Sequence, residues 1–182
     1  MQRKNAKEIL VDSFREIAGK KSIDKITIND IVANCGYSPA TFYRNFGDKY
    51  DLIAWEHTRG VAEIMTGADA ESCKWSRILL DAANWFYGEK EYLKNLLMNT
   101  KGYDSFLRNM VEIHYTALGK YVFPDGGNSE TNIKDKMLVR TYCLGTVGLV
   151  CEWILGEYDA TPEEIASVCG DAFPQPLKKY LI

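Results

Sequence analysis

The tightest constraint on the fold lies between Thr27 and Phe46, where two short helices carry their own start and stop signals. Thr27 is placed to cap the first, with Asp30 three residues on as the reciprocal member of a capping box. Ile28, Ile31, Val32 and Cys35 form one apolar face, and Gly36 supplies the C-terminal stop. Ser38-Pro39 restarts the chain as a helix, with serine as N-cap and proline at the first helical position. Two short helices joined by Cys35-Gly36-Tyr37-Ser38 have the proportions of a helix-turn-helix.

The second of the pair can be read by angle, at about 100° per residue. Phe42 and Phe46 set its buried side, Ala40 and Arg44 point nearly opposite, and Thr41 and Tyr43 lie on the flanks. Such a face suits a helix entering a major groove. Ala40 permits close approach, Arg44 matches a guanine edge or a phosphate, and Thr41 and Tyr43 can donate to phosphates or bases. A small helical domain with a half-exposed tyrosine would give the same pattern, so these residues alone leave both readings open. Lys49 falls in the first turn of the next helix, where the helix dipole disfavours a cation unless an external anion is its partner. The backbone amides at Thr27 offer a second place for a phosphate.

Charge is divided unevenly. Residues 1–50 hold nine Lys/Arg and six Asp/Glu, a balance of +3, whereas residues 51–182 hold thirteen and nineteen, a balance of -6. A basic segment on an acidic body is what a polyanion partner would ask for, although three charges of excess carry little weight alone.

The rest of the chain is also helical in period, and no stretch alternates like a strand. Ala6, Leu10, Phe14 and Ile17 mark a first helix over about 4–19. Gly47-Asp48 opens a fourth helix over about 48–66, which reads as a connector between a domain at 1–50 and a larger one at 51–182. Further helices are expected at roughly 73–87, 89–100, 103–122, 130–156 and 161–180, the last opened by Thr161-Pro162-Glu163-Glu164. The clearest loop is Pro124 to Ser129. The expected fold is therefore all-α.

Residues 27–52 resemble the DNA-binding segment of TetR-family transcriptional regulators. Thr27, Ile31, Gly36, Thr41, Tyr43, Phe46, Lys49 and Leu52 stand at the family's spacing, and with the first helix the likeness covers about residues 5–55. The resemblance implies a three-helix DNA-binding domain and a larger helical domain for ligand binding and dimerisation. It implies a homodimer on duplex operator DNA, most often a repressor released by a small molecule. Carried over by position, Thr27, Thr41, Tyr43 and Lys49 would contact phosphates, and Ser38, Ala40 and Arg44 would face the groove. The N-terminal arm is short, with Arg3 and Lys4 as its charges. The run from Gly145 to Gly156 resembles a short-bodied subgroup that includes an activator, so the sign of regulation stays open, as does a body that binds a protein partner instead of a metabolite.

In the body, Tyr103, Leu107, Met110 and Ala117 share a helical stripe with His114. Trp85, Tyr103, Phe106, Met110, His114 and Tyr142 are candidates to line a pocket for a small apolar or aromatic effector, although aromatics at helical spacing are more often plain core. Residues 137–155 are apolar nearly all round, as in a helix buried on every side. In a chain this small a second subunit can supply the outer side, with Gly145, Gly148, Leu149, Trp153, Ile165 and Val168 as interface candidates. An internal hairpin of a monomer is the competing reading.

Other classes find little support. The strongly apolar stretch Leu144–Leu155 is interrupted by Glu152 and falls short of the roughly 20 residues of a membrane span, and the N-terminus does not read as a signal peptide, so a cytoplasmic protein is expected. The five cysteines are widely spaced with no CxxC pair, and there are two histidines, so neither a disulfide framework nor a metal centre is expected. No cofactor motif and no catalytic constellation is apparent, so an enzyme is not expected.

Overall fold

The computed structural model describes residues 4–66, 74–100, 106–123 and 132–181. Among them there are helices and turns and no strand. The helices are α1 (Ala6–Ala18), α2 (Ile28–Cys35), α3 (Pro39–Asn45), α4 (Lys49–Thr66), α5 (Trp75–Gly88), α6 (Lys90–Asn99), α7 (Phe106–Val122), α8 (Ile133–Leu155) and α9 (Pro162–Asp171). A 3-10 turn, Ile23–Lys25, joins α1 to α2, and a second, Gln175–Tyr180, follows α9. The expected Pro124–Ser129 loop and Arg3 of the arm lie outside the described residues.

Capping residues place most of the boundaries. Thr27 and Asp30 form the expected capping box on α2, and Asn5 with Glu8 forms another on α1. Gly36 ends α2 at φ 74°, in the left-handed region that costs a side-chain-bearing residue about 1 kcal/mol or more. Asp48 accepts from the amides of Tyr50 and Asp51 and so opens α4. The last helix is shorter than its period suggested. It stops at Asp171, because Pro174 and Pro176 lack the amides needed to carry it on.

The helices at the N-terminus share one apolar core with the body. Leu10, Phe14, Ile31, Phe42 and Leu52 belong to the same buried cluster as Phe86, Leu93, Met110, Trp153 and Ile154. Thus α4 is packed on both sides and is not a free strut. A second cluster, around Leu118, Val139, Tyr142 and Phe173, closes the far end. Gly60 sets how closely α4 meets α5, since a Cβ there would come within 2.9 Å of the Trp85 ring.

Helix α8 begins eleven residues ahead of Leu144, and by length and composition alone it could cross a membrane. Here it is a core helix, with Val139, Cys143, Val147, Trp153 and Ile154 buried against the rest of the chain.

Candidate functional site

The angular reading of α3 agrees with its environment. Phe42 is fully buried and Phe46 nearly so, and Phe46 meets Trp55 of α4 edge-on at 5.9 Å. These rings fix the helix and turn its other side outward. Ser38, Ala40, Tyr43 and Arg44 are exposed and Thr41 is half-buried. Tyr43 leaves 60% of its surface free while its ring rests on Phe42, so the phenol is aimed but not covered. Ser38 Oγ caps α3 through the Thr41 amide and lies 3.1 Å from the Thr41 hydroxyl. Thr27 is exposed, its hydroxyl oxygen accepts from the Asp30 amide, and its side chain also bonds the Asp30 carboxylate. One rigid face therefore presents a guanidinium, a phenol, several hydroxyls and a small residue.

Lys49 departs from the expected pattern. Its Nζ donates to the carbonyls of Ile23 (2.8 Å), Asp24 (3.1 Å) and Ile26 (2.9 Å). An ammonium has three hydrogens, and all three are engaged. The cation at this helix start is thus balanced by the carbonyls of the 3-10 turn, in place of the phosphate that the sequence led us to expect. Burial lowers its pKa, against the raising effect of Asp24 and Asp48. Lys49 ties α4 to the turn that orients α2.

A second polar assembly joins the N-terminal helices to the body. Arg15 of α1 donates to Glu56 of α4 at 2.8 Å and pairs with Glu89 at the start of α6. Tyr92 donates to the other Glu56 oxygen at 2.7 Å, and the guanidinium lies over the Tyr92 ring. Burial raises the Glu56 pKa, while Tyr92 and Arg15 oppose the shift. Burial alone would lower the Arg15 pKa, but Glu56 and Glu89 outweigh it and raise it. Asn95 of α6 completes the junction by donating to the carbonyls of Ala18 and Lys21. None of these five residues was singled out from the sequence.

Within the body, a cavity of about 100 Å3 lies between α4, α5, α7, α8 and α9. Of the expected lining residues, Met110, His114 and Tyr142 are in its wall. Trp85 and Phe106 are not: both pack against His57, behind the cavity. Tyr103 lies outside the described residues, and Leu107 of the same stripe is exposed.

His114 is enclosed by protein but retains some accessible surface, and that surface is cavity wall. Its Nε2 lies 3.3 Å from Nε2 of His57, with the two rings stacked. His57 is 3% exposed, sits among Trp85, Phe86 and Phe106, and has no partner for Nδ1. Burial lowers His114 to about 4, and burial with the neighbouring ring lowers His57 to about 3, so both are neutral at pH 7. His57 belongs to α4, so the pair links the cavity wall directly to the helix that begins beside α3. The spacing Ile53, His57, Val61, Ile64 in α4 was the available sign that this histidine faces inward.

Part of the outer face of α8 is left open by the described residues. Met137, Leu144 and Val168 of α9 are more than half exposed, and Gly145 is exposed beside them. A Cβ at Gly145 or Gly148 would meet nothing within 4 Å. Leu149 is half-buried at the edge of a groove that also includes Thr141, Val168 and Pro174. Two interface candidates are misplaced. Trp153 is buried in this chain's own core, donates to the Ala160 carbonyl at 2.8 Å and stacks on Tyr87. Ile165 is buried in the cavity wall. Glu152 is exposed.

Residues 10–54 match bacterial regulatory proteins of the tetR family, and residues 74–173 match a transcriptional regulator C-terminal region. No curated protein matches the chain in sequence. Solved structures share the fold at low identity. A dihydroxyacetone kinase operon activator, DhaS, is 16% identical with a TM-score of 0.65, over 97% of this chain and 98% of that one. A TetR transcriptional regulator from Rhodococcus sp. RHA1 is 14% identical with a TM-score of 0.63, over 93% and 97%. The repressor AlkX from Dietzia sp. strain DQ12-45-1b is 14% identical with a TM-score of 0.61, over the full length of both chains.

Proposed function

The chain belongs to the TetR family of transcriptional regulators, and from that membership we propose that it is a homodimeric repressor released from its operator by a small molecule. The observation that carries the DNA-binding half is the outward face of α3. Ala40 lets the helix approach the bases, Arg44 reads or clamps them, and Ser38, Thr41, Tyr43 and Thr27 hold the flanking phosphates. The exposed apolar face of α8 and α9 supports a second copy as its cover, with Gly145 and Gly148 allowing close approach.

An effector in the cavity touches His114, and His114 touches His57 of α4. A ligand that favours one arrangement of that pair shifts the DNA-bound population in proportion to its differential affinity. A small apolar cavity lying between five helices favours a metabolite over a protein partner as the body's ligand. The neighbours in fold include both a named activator and a named repressor. A repressor loses promoter occupancy when its effector is added.

The duplex upstream of the protein's own gene is the first DNA to test, since such regulators often control their neighbours. Fluorescence anisotropy should show salt-dependent binding, and Arg44→Ala should weaken it by about 10-fold to 100-fold, the 1–3 kcal/mol of one good bidentate contact. Equal affinities for wild type and variant would remove Arg44 from the interface.

A further inference from the structure

We propose that the cavity selects a small uncharged molecule of single-ring size bearing one hydroxyl group, the phenol class. The proposal rests on the reading of the body as an effector domain and narrows it to a ligand chemistry.

Size is the first constraint. The cavity is about 100 Å3, less than the roughly 150 Å3 of an apolar cavity that holds one benzene, so one small ring is already the upper limit and seats only with a slight outward shift of the walls. A fused polycycle or a long-chain lipid has no room without rearrangement of the walls.

Charge is the second. Ile78, Phe86, Met110 and Val147 are typical of the lining, and among the described residues no Asp, Glu, Lys or Arg belongs to it. An ion would give up its hydration and find no counter-charge. The imidazole in the wall, His114, is shielded with its stacked partner His57 and stays neutral at pH 7.

The hydrogen-bond inventory supplies the hydroxyl. Among the described residues the wall holds two side-chain hydroxyls, and each already donates to a backbone carbonyl: Tyr142 to Cys169 at 2.9 Å and Thr146 to Tyr142 at 2.8 Å. Each hydroxyl has one proton, so both oxygens offer only lone pairs. Trp75 Nε1 is buried and shows no surface to the cavity. The wall therefore asks for a donor, and a ligand O–H also suits either tautomer of His114.

The test is calorimetry on the full-length protein with phenol, anisole, toluene and benzoate at pH 7. Phenol should bind with a dissociation constant of about 1 mM or tighter, within the range open to seven heavy atoms. Anisole, which keeps the ring but lacks the donor, should bind about 10-fold more weakly, and benzoate about 100-fold more weakly. Thr146→Val, which preserves shape and removes one acceptor, should shrink the gap between phenol and anisole. Ala117→Phe should fill the cavity and abolish binding of all four. Should Ala117→Phe fail to fold, the ligand series and Thr146→Val still decide. Benzoate binding as tightly as phenol, anisole matching phenol, or no binding of any neutral ring at about 5 mM would each overturn the proposal. Anisotropy with operator duplex separates the two levels. Phenol binding with this selectivity but leaving DNA affinity unchanged would retain the ligand class and refute effector control. DNA release by a charged compound, with no phenol binding, would do the reverse.

Discussion

Acidifying the protein from pH 7 to pH 5 should lower its unfolding free energy by roughly 4 kcal/mol, about 2 for each histidine. Both histidines have folded-state pKa values far below the unfolded value near 6.5. The unfolded chain therefore binds protons below about pH 6.5 that the folded chain refuses. Their stabilising contribution is fully present above that pH and drains away as the pH falls toward 4 and then 3. Depressed carboxylates such as Asp30, held at about 2, act only below their unfolded value near 4. The chain has only two histidines, and Glu56, whose pKa burial raises, acts in the opposite sense as the pH falls, so a downward movement between 6.5 and 5 reports on the histidine pair. Urea midpoints at pH 7, 6 and 5, at one protein concentration, should move steadily down. His114→Leu should remove about half of the movement. A midpoint independent of pH across that interval would mean that the two rings are not buried together.

Leu144→Glu should have the larger effect on DNA binding. Leu144 is 53% exposed on the open face of α8, next to Gly145 and near Val168. A carboxylate there would stand opposite its own copy across a two-fold contact, desolvated and repelled. The dimer should dissociate at micromolar concentration in sedimentation. Operator affinity should then fall by about 100-fold or more, because a dimer gains 10²–10⁴ from making its second half-site contact intramolecular. The fold should survive, since the side chain faces away from the core. A variant that still sediments as a dimer would place the subunit contact elsewhere.

What could be read in the sequence was what sequence-local rules control. Thr27, Gly36, Ser38 and Pro39 set the ends of α2 and α3 through bonds spanning a few residues, and the structure agrees with each. Phe42 and Phe46 fixed the orientation of α3 for the same reason. The polar junction was invisible because its partners are remote: Arg15 and Glu56 are 41 residues apart, and Tyr92 and Glu56 are 36 apart. No helical period records such a contact. Lys49 shows the limit from the other side. The dipole argument correctly required a negative partner, but three carbonyls of a neighbouring turn satisfy it as well as a phosphate would. In α8 the all-round apolarity could not say which side meets the chain's own core. Trp153 therefore passed for an interface residue, whereas Met137 and Leu144 are the exposed ones.

Selection of tight-binding duplexes from a random library with the full-length protein bears most directly on the central reading, that two copies present their α3 faces to one DNA. The enriched sequences should converge on an inverted repeat whose half-sites lie about one helical turn apart, or a multiple of it. Their affinity should exceed that for bulk DNA by about 10³-fold or more at physiological salt. A library that fails to converge, or that converges on a single unrepeated half-site, would contradict it.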